Sequence, residues 1–385
     1  MSRLILILLP LVLPTYVIRF QIGPLPTTLL EVFLLAFLAL WTTQRGLPGW
    51  KNARTLLQKR GWAWPLGLWL LAGLIGVVVA QDHLAALGLW RAYFLEPALV
   101  FAMLTDLVRD DREKQLLLRS LSVTVAVLAL WAIAQIAGLL PIPTPWDTPP
   151  AGLRATGPFP FPNALALFVV PATALFFHLL TRRVNDRHAI PLHPLWSVIG
   201  FGSGIIATVL AKSDGGLIAL GAAMFLSLVF RKKSRWLAVA LVVIAAAFLL
   251  ARPSSRTELT NQFLFREWSG KVRLVMWNET REMLKDRPIF GAGLGGYPDR
   301  ILPYHKATWM EIFQYPHTIL LNLWSETGVL GVAAFGWILA LWWKHGRRLA
   351  LPILAAILVH GLVDVPYFKN DLAVMFWMLV ALTTV

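Results

Sequence analysis

The sequence contains no cysteine among its 385 residues, so neither disulfide bonds nor thiolate chemistry takes part in its structure or activity. Charged residues are scarce as well. They make up 14% of the chain, whereas they make up about a quarter of a typical soluble domain. Hydrophobic residues supply 57% of the chain, which includes 18 tryptophans. This balance argues against an ordinary soluble protein and indicates one that is embedded in lipid.

Apolar runs recur along the whole chain, and each is close to the ~17–25 residues that an α-helix needs to cross a bilayer. The first run follows Arg3, as in a signal peptide, but it lacks a small-residue cleavage site, so we expect a retained helix. We predict an all-α polytopic membrane protein that forms a single membrane domain over residues 1–385. Its twelve apolar segments lie near residues 4–20, 25–42, 62–80, 84–108, 115–140, 159–180, 194–211, 215–230, 235–251, 317–343, 348–364 and 371–385.

The net charge of +15 is concentrated in short connections between these segments. One side of the membrane holds 20 of the 35 basic residues, in Arg3, Arg119 and the loops 45–60, 109–114, 181–188, 231–235 and 344–348. The short connections on the other side hold only Arg19, Arg154, Lys212 and Lys369. Because basic loops remain in the cytoplasm, we expect both termini there. The positive charge therefore reflects orientation, and no nucleic-acid partner is expected.

Residues 252–316 form one long connection, and the expected orientation makes it an extracytoplasmic loop. Loops of this length are uncommon unless they have a function. The stretch 266–286 has no proline and repeats apolar residues at helical spacing, which predicts an amphipathic helix. On that helix Arg273 and Arg281 flank Trp277 at four-residue spacing. The helix either rests on lipid headgroups or forms an anion site, since guanidinium groups bind phosphate through paired hydrogen bonds.

Gly291, Gly293 and Gly296 match the dinucleotide-binding pattern G-x-G-x-x-G. We reject that match, because no strand precedes it and no βαβ unit surrounds it. Glycines at these positions are instead expected to allow a tight turn, or a close approach of the backbone to a ligand.

His317 lies at the start of a long apolar segment that also contains Asn322 and Glu326. An isolated interfacial histidine is usually only a polar surface group, but an arginine-rich loop and a glycine turn precede this one. Imidazole titrates near neutrality, which makes His317 a candidate general base. Asn322 and Glu326 share a different helical face from His317. We therefore interpret them as residues that hold the helix in place.

Other polar residues leave alternatives open. Arg91, Glu96 and Glu326 within apolar segments permit a secondary transporter or a lipid-linked glycan flippase, although no internal repeat supports one. His360 and Asp364 are interpreted as an i,i+4 hydrogen-bonded pair within a helix. No metal site is predicted, because no second pair has ligand-like spacing.

The ordered motifs between residues 153 and 371 resemble the O-antigen ligase/O-antigen polymerase superfamily of bacterial glycan-assembly membrane proteins. They are RATGPFPFPN, KSDGG, RLVMWNETREMLKDRPIFGAGLGGY, PHTILLNLWSETGVLG and HGLVD. The resemblance implies about 12 transmembrane helices with one large extracytoplasmic loop before helix 10, as in GT-C-like glycosyltransferases. It also implies a transferase of the cell envelope that acts on a polyprenyl-diphosphate-linked glycan donor, such as one on undecaprenyl diphosphate. In-line attack of the acceptor hydroxyl on the anomeric carbon would then invert the configuration there. The implied partners are this donor, a glycan, lipid-core or protein acceptor, and the lipid bilayer, with no cofactor and no metal.

By position, the resemblance assigns the catalytic role to His317 and diphosphate binding to Arg273 and Arg154. We add Arg281 and Lys212 as further diphosphate-binding cations, and Asn322, Glu326, Gly291 and Gly293 as structural support. The sequence departs from the family pattern at Thr318, where asparagine usually follows the histidine, and at Asp214, where arginine commonly follows the serine. Ligation to a lipopolysaccharide core, polymerisation and protein O-glycosylation all remain open.

Overall fold

The computed structural model describes residues 2–23, 25–148, 152–182, 190–231, 234–236, 238–240, 243, 260–261 and 264–385. The described residues are mostly helical. Most of the predicted apolar segment 235–251 lies outside them, as does the start of the predicted long loop with Arg252 and Arg256.

The helices occur in one nearly continuous series along the chain. They are α1 (Ser2–Val12), α2 (Leu29–Lys59), α3 (Ala63–Val79), α4 (His83–Trp90), α5 (Glu96–Leu107), α6 (Asp111–Ile136), α7 (Pro162–Thr181), α8 (Pro194–Leu210), α9 (Asp214–Val229), α10 (Trp268–Asp286), α11 (Tyr297–Ile301), α12 (Ile319–His360) and α13 (Asn370–Thr384). A short hairpin of β1 (Arg19–Ile22) and β2 (Leu25–Thr28) precedes α2, with Arg19 opposite Thr28.

Length and apolar composition allow several of these helices to span a bilayer. Five helical stretches of the described residues qualify: Leu29–Lys59, His83–Leu107, Asp111–Ile136, Pro162–Thr181 and Ile319–His360. Shorter apolar helices of 10–17 residues accompany them, such as Ala63–Val79 and Pro194–Leu210. The chain is thus a mostly helical protein with several membrane-spanning helices, in agreement with the predicted all-α class. The number of twelve spans stays a prediction.

The two longest helices are interrupted. Gly328 (φ 65°) and Arg347 (φ 39°) divide α12, and Gly46 (φ 52°) divides α2 two residues before Pro48. Positive φ lies outside the helical region and is tolerated best by glycine. Each long run therefore consists of shorter helices that are joined at a kink.

The core of the fold surrounds α7 and α13. Nearly every side chain of both helices is buried, and α7 packs against α8, α9 and α12 while α13 packs against α5 and α12. A helix that is apolar on all sides is typical of such a central position. The two charged residues noted in the fourth apolar segment also have partners. Arg91 lies 3.3 Å from Glu96 and 2.8 Å from Glu31.

Polar contacts between connections collect at two ends of the helices. At one end Arg45 and Arg109 pair with the buried Asp106, and His345 Nε2 lies 3.0 Å from Arg60 O. These contacts come from the basic loops that we expect in the cytoplasm. At the other end five segments meet around the start of α12, namely residues 152–163, 210–216, 264–277, 313–319 and 360–369.

Candidate active site

A cavity of about 600 Å³ lies where these five segments meet. Four predicted site residues line it, although they are distant from one another in sequence: Arg154, Lys212, Arg273 and His317. The lining also includes polar and aromatic residues that were not predicted as catalytic or substrate-binding: Trp146, Asn163, Asp214, Glu267, Trp268, Ser269, Phe313, His360 and Asp364. The fold thus brings most of the predicted cations and the predicted base into one chamber.

His317 occupies the turn that leads into α12. Its backbone has φ 44°, a left-handed conformation that costs a residue other than glycine roughly 1–3 kcal/mol. Two contacts hold the turn: Trp277 Nε1 donates to Pro316 O at 2.9 Å, and Thr318 Oγ1 donates to Gly361 O at 3.2 Å. The unusual Thr318 therefore tethers the histidine turn to the segment that follows α12.

The nearest charged partner of His317 is Asp364, whose Oδ1 lies 3.6 Å from His317 Nδ1. This contact is longer than a hydrogen bond. Asp364 is 1% exposed, and its Oδ2 accepts from Asn163 Nδ2 at 3.3 Å. Burial raises the pKa of Asp364, but the neighbouring His317, together with His360 and Lys369, outweighs it and holds the pKa below its ordinary value. Asp364 is thus a carboxylate beside the histidine, suited to stabilise an imidazolium.

The interpretation of Asp364 as a helical partner of His360 is wrong. Helix α12 ends at His360, and the residues that follow form a turn in which Asp364 N donates to His360 O at 3.0 Å. The Asp364 carboxylate contacts His317 and Asn163. The i,i+4 spacing suggested a local pair, whereas the turn carries the carboxylate back to the start of α12.

Arg154 is anchored by backbone carbonyl groups. Its Nε donates to Ala211 O at 3.1 Å, and its Nη2 donates to Lys212 O at 3.0 Å and to Asn163 Oδ1 at 3.3 Å. Its guanidinium also lies 5.1 Å from the centre of the Trp146 ring. Burial lowers the pKa of Arg154, but a guanidinium stays protonated in proteins. Arg154 is a fixed positive charge connected through Asn163 to Asp364.

Arg273 comes from α10, on the wall beside the end of α12. Its Nε donates to Val363 O at 3.1 Å and its Nη1 donates to Ser269 Oγ at 3.3 Å. Arg154, Lys212 and Arg273 are balanced within the lining by three carboxylates, those of Asp214, Glu267 and Asp364. The cavity is therefore a chamber with separate positive and negative groups.

Arg281 lies elsewhere. It is two turns beyond Arg273 on α10, its side chain is exposed, and its Nη1 donates to Asn278 Oδ1 at 3.1 Å. It does not line the cavity. The structure also gives different roles to Arg273 and Trp277, which lie four residues apart on α10. Arg273 contributes to the chamber, and Trp277 holds the histidine turn.

The glycine turn supports α12 at its first break. Gly291 and Gly293 have positive φ (66° and 84°), and a Cβ on Gly291 would lie 2.3 Å from Trp324 O. A Cβ on Gly293 would lie 2.5 Å from Ala80 N. The absence of side chains lets the turn lie directly on α12 and α3. These glycines are close to other parts of the backbone, and they do not line the cavity.

Glu326 and Asn322 are buried residues of α12 that lie outside the lining of the cavity. Glu326 Oε2 accepts from Gly295 N at 2.6 Å, which ties the glycine turn to α12 just before Gly328. Asn322 is 1% exposed, and among the described residues its Oδ1 has no hydrogen-bond partner. Glu326 thus supports the start of α12, and neither residue lines the chamber that contains His317.

Among the residues that the structure describes, no group of three or more His, Cys, Asp or Glu side chains is arranged to hold a metal ion.

Comparison with known proteins now adds to this geometry. The family model described as O-Antigen ligase matches residues 199–336. A protein of Rickettsia felis named "Putative polysaccharide ligase" is 24% identical over 156 residues, which are 39% of this chain and 37% of that protein. A second protein of that name, from Rickettsia conorii, is 23% identical over 192 residues, which are 48% of this chain and 45% of that protein. The resemblance to the O-antigen ligase superfamily is confirmed.

The match to the O-antigen ligase family covers only part of the cavity. It extends from α8 into α12 and includes Lys212, Arg273 and His317. Arg154, Asn163 and Asp364 lie outside residues 199–336, so regions beyond the matched part complete the chamber. The chain spans less than half the length of the curated relatives that it matches.

The contact between Trp277 and Pro316 leads to a prediction for the histidine turn. Trp277→Phe keeps an aromatic ring but removes the hydrogen bond that holds the histidine turn. A typical hydrogen bond contributes about 0.5–1.5 kcal/mol, so we expect kcat to fall roughly threefold to tenfold with little change in KM. The measurement is the steady-state rate of the purified variant in an assay of the activity proposed below. Trp337→Phe, an exposed tryptophan of α12, is the control, and an unchanged kcat in Trp277→Phe would contradict the positioning role.

Proposed function

We propose that this chain is a glycosyltransferase that moves a glycan from a polyprenyl-diphosphate donor to an acceptor hydroxyl, as a surface polysaccharide ligase or polymerase. The observation that supports this most is the pairing of His317 with Asp364 in a cavity that also holds Arg154 and Arg273. The similarity to O-antigen ligases agrees with the same chemistry.

His317 is the proposed general base. Its Nδ1 is directed to Asp364, so Nε2 is the nitrogen that takes the proton from the acceptor hydroxyl. The carboxylate of Asp364 orients the ring and stabilises the imidazolium that forms, as a buried aspartate does beside other catalytic histidines. The deprotonated oxygen then attacks the anomeric carbon of the donor sugar.

Arg154 and Arg273 are the proposed ligands of the diphosphate. As the new glycosidic bond forms, the bond between the anomeric carbon and the diphosphate oxygen breaks, and polyprenyl diphosphate leaves with the electron pair. Positive groups that are already fixed in place stabilise the charge that develops on this leaving group. The backbone carbonyl contacts of both arginines fix them in this way. Lys212, which is exposed on the same lining, is proposed as a further cation.

Direct displacement predicts inversion at the anomeric carbon. The energy for the reaction comes from the lipid-linked diphosphate itself, so we propose that neither a nucleotide nor a metal ion takes part. We propose that the cavity lies at the outer face of the cytoplasmic membrane and that both termini lie in the cytoplasm, because the distribution of basic loops favours this orientation. At that face an activated lipid donor replaces the nucleotide sugars of the cytoplasm.

The test is turnover of a polyprenyl-diphosphate glycan by the purified chain in detergent with EDTA. We expect release of polyprenyl diphosphate together with a longer or transferred glycan, and product size separates a polymerase from a ligase. NMR of the new linkage gives its configuration. A retained configuration would contradict direct displacement. Loss of turnover in EDTA, with recovery on adding a divalent ion, would contradict metal independence.

The Asp364 carboxylate leads to a separate prediction. Asp364→Asn keeps the shape of the side chain and removes its negative charge, so the imidazolium of His317 loses its stabilising partner. We expect kcat to fall by about 10²-fold with a donor KM within about twofold of wild type, since the carboxylate acts on proton transfer. Asp299→Asn, an exposed aspartate of α11, is the matched control. A wild-type kcat in Asp364→Asn would remove Asp364 from the mechanism.

A further inference from the structure

Two tryptophans form an exposed pair beside the cavity. The rings of Trp268 and Trp309 meet edge to face, with their centres 5.0 Å apart and their planes at 65°. Trp268 is 66% exposed and Trp309 is 47% exposed, yet Trp268 also lines the chamber that contains His317. One aromatic surface therefore extends from the cavity wall to the outside of the protein.

The chain holds Trp268 in this position through a close-packed turn. Phe265 has φ 51°, and its ring contacts Trp277 at a centre-to-centre distance of 5.4 Å. A Cβ added at Gly270 would lie 2.6 Å from Phe265 Cα, so the first turn of α10 packs directly on the preceding segment. Trp268 lies between Phe265 and Gly270 in the sequence, within this packed turn. The turn thus presents the ring on a fixed backbone, which reduces the entropy lost on binding.

A row of hydrogen-bonding groups lies beside the aromatic pair. Ser269 Oγ donates to Glu267 Oε1 at 2.9 Å, and Arg273 Nη1 donates to Ser269 Oγ at 3.3 Å. Glu267, Ser269 and Arg273 all line the cavity. The row leads from the half-buried Glu267 to Arg273, which is the proposed diphosphate ligand. An apolar ring surface and a set of donors and acceptors therefore lie side by side.

We propose that Trp268 and Trp309, together with the Glu267 carboxylate, bind a pyranose ring of the glycan substrate at the edge of the cavity. A pyranose has a face of C–H groups that packs on an aromatic ring, and a rim of hydroxyls that donate to a carboxylate. This inference rests on the proposed function, which makes the bound glycan a substrate. The position beside Arg273 makes the bound ring a sugar of the donor or of the acceptor, close to the diphosphate.

A lipid tail fits this surface less well. Tryptophan is common where proteins meet the membrane interface, but a hydrocarbon chain on Trp268 would cover the adjacent Glu267 and leave its carboxylate with fewer polar partners. A sugar hydroxyl replaces the water that such a tail would remove. Charge and hydrogen-bonding capacity beside the rings therefore favour a glycan.

Binding of a lipid-free glycan tests the proposal without relying on turnover. The probe is an oligosaccharide released by mild acid hydrolysis from the surface polysaccharide of the producing organism, added to the full chain in nanodiscs and followed by saturation-transfer NMR. We expect Trp268→Ala to raise Kd about tenfold, in line with the loss of an aromatic contact. We expect Trp268→Phe to raise it roughly twofold to threefold. Trp64→Ala, a 76% exposed tryptophan that does not line the cavity, should leave Kd unchanged.

Kinetics then identify which glycan occupies the platform. In Trp268→Ala a higher KM for the donor with unchanged kcat assigns the ring to the donor, and a higher KM for the acceptor assigns it to the acceptor. Either result supports the platform. If the variant loses oligosaccharide binding while the wild type shows no transfer, the platform stands and the transferase proposal fails. If transfer is normal and both KM values match wild type, the platform fails and the transferase proposal stands.

Two further outcomes would overturn the platform. The first is that the wild type does not bind the oligosaccharide at all. The second is that Trp268 is the part of the protein in contact with lipid. In nanodiscs that contain brominated lipid, the tryptophan fluorescence of Trp268→Ala would then be quenched clearly less than that of the wild type. Trp309→Ala and Trp64→Ala are the comparison variants. Equal elution and equal thermal unfolding of all variants show that each one folds.

Discussion

Replacing His317 by glutamine is expected to lower kcat by about 10²–10⁴-fold, the range usual for loss of a general base. An amide has nearly the same size and hydrogen-bonding capacity as the imidazole, but it cannot take up a proton near neutrality. Donor KM should change little, because we propose that the arginines of the chamber, and not His317, bind the diphosphate. The measurement is the initial rate of polyprenyl diphosphate release by the purified variant.

His83→Gln is the matched control for this substitution. His83 is exposed at the start of α4, its Nδ1 lies 2.8 Å from Val77 O, and it does not line the cavity. We expect wild-type kcat in that variant. A His317→Gln protein that elutes and unfolds like wild type but retains its full rate would show that another group removes the proton.

Replacing Arg273 by alanine is expected to lower kcat/KM by about 10²–10³-fold, as for loss of one fixed donor to a developing charge. Arg273 lines the cavity, and two of its nitrogens are held by Val363 O and Ser269 Oγ. Arg281→Ala, on the same helix but exposed and outside the cavity, is expected to change kcat/KM by less than about threefold. Both variants remove one arginine from α10, so they differ only in whether the lost guanidinium lined the cavity.

The rates of the two variants distinguish two ways in which the arginines of α10 could act on the donor. If both arginines lower the rate equally, the charge acts through the general attraction of an anionic lipid to α10. If only Arg273 matters, a local contact to the diphosphate is the cause. Arg273→Lys should recover part of the rate, because it keeps the charge and loses the planar pair of donors. Raising the salt concentration should reduce the effect of Arg281 first, since exposed charges are screened most.

Helix α10 shows what helical spacing predicts and what it leaves open. The sequence places Arg273, Trp277 and Arg281 on one side of a helix, and the structure contains a helix at Trp268–Asp286. Spacing alone treats the two arginines as equivalent. Their difference arises because the segment 360–364 packs on the first half of α10, where Arg273 donates to Val363 O, whereas the later turn of Arg281 is exposed.

The partner of His317 was the main omission of the sequence analysis. Asp364 lies in the motif HGLVD, and this motif was the one feature of the sequence that could have pointed to it as a site residue. Four-residue spacing assigned it to His360, because local pairs are the only ones that a helical pattern can show. The contact to His317 exists because Gly361 O accepts from Ile319 N at 2.8 Å, which brings the end of α12 against its beginning.

The glycines at 291, 293 and 296 were predicted to allow a tight turn or a close approach of the backbone to a ligand. Their role became clear only from their neighbours. Gly291 packs on the carbonyl groups of Trp324 and Ser325, and Gly293 packs on Ala80, the residue that follows α3. Such contacts join residues that are distant in sequence, and no local pattern encodes them.

The sequence by itself determined the properties that depend on composition and local order. These are the all-α membrane class, the basic loops that indicate orientation, the motifs shared with O-antigen ligases, and the choice of His317, Arg154, Lys212 and Arg273 as candidate residues. Each follows from hydrophobic periodicity, charge distribution or motif order, which a linear chain displays directly.

The tertiary structure decided which of these residues share a chamber. It excluded Arg281 from the cavity, added Asp364 and Asn163 beside His317, and revealed the pair of Trp268 and Trp309. These relations depend on how the kinked α12 folds back and how α10 packs against its end. Packing between segments that are distant in sequence determines which residues meet. The physical reason is that spacing along the chain specifies only local neighbours, whereas these contacts form in three dimensions.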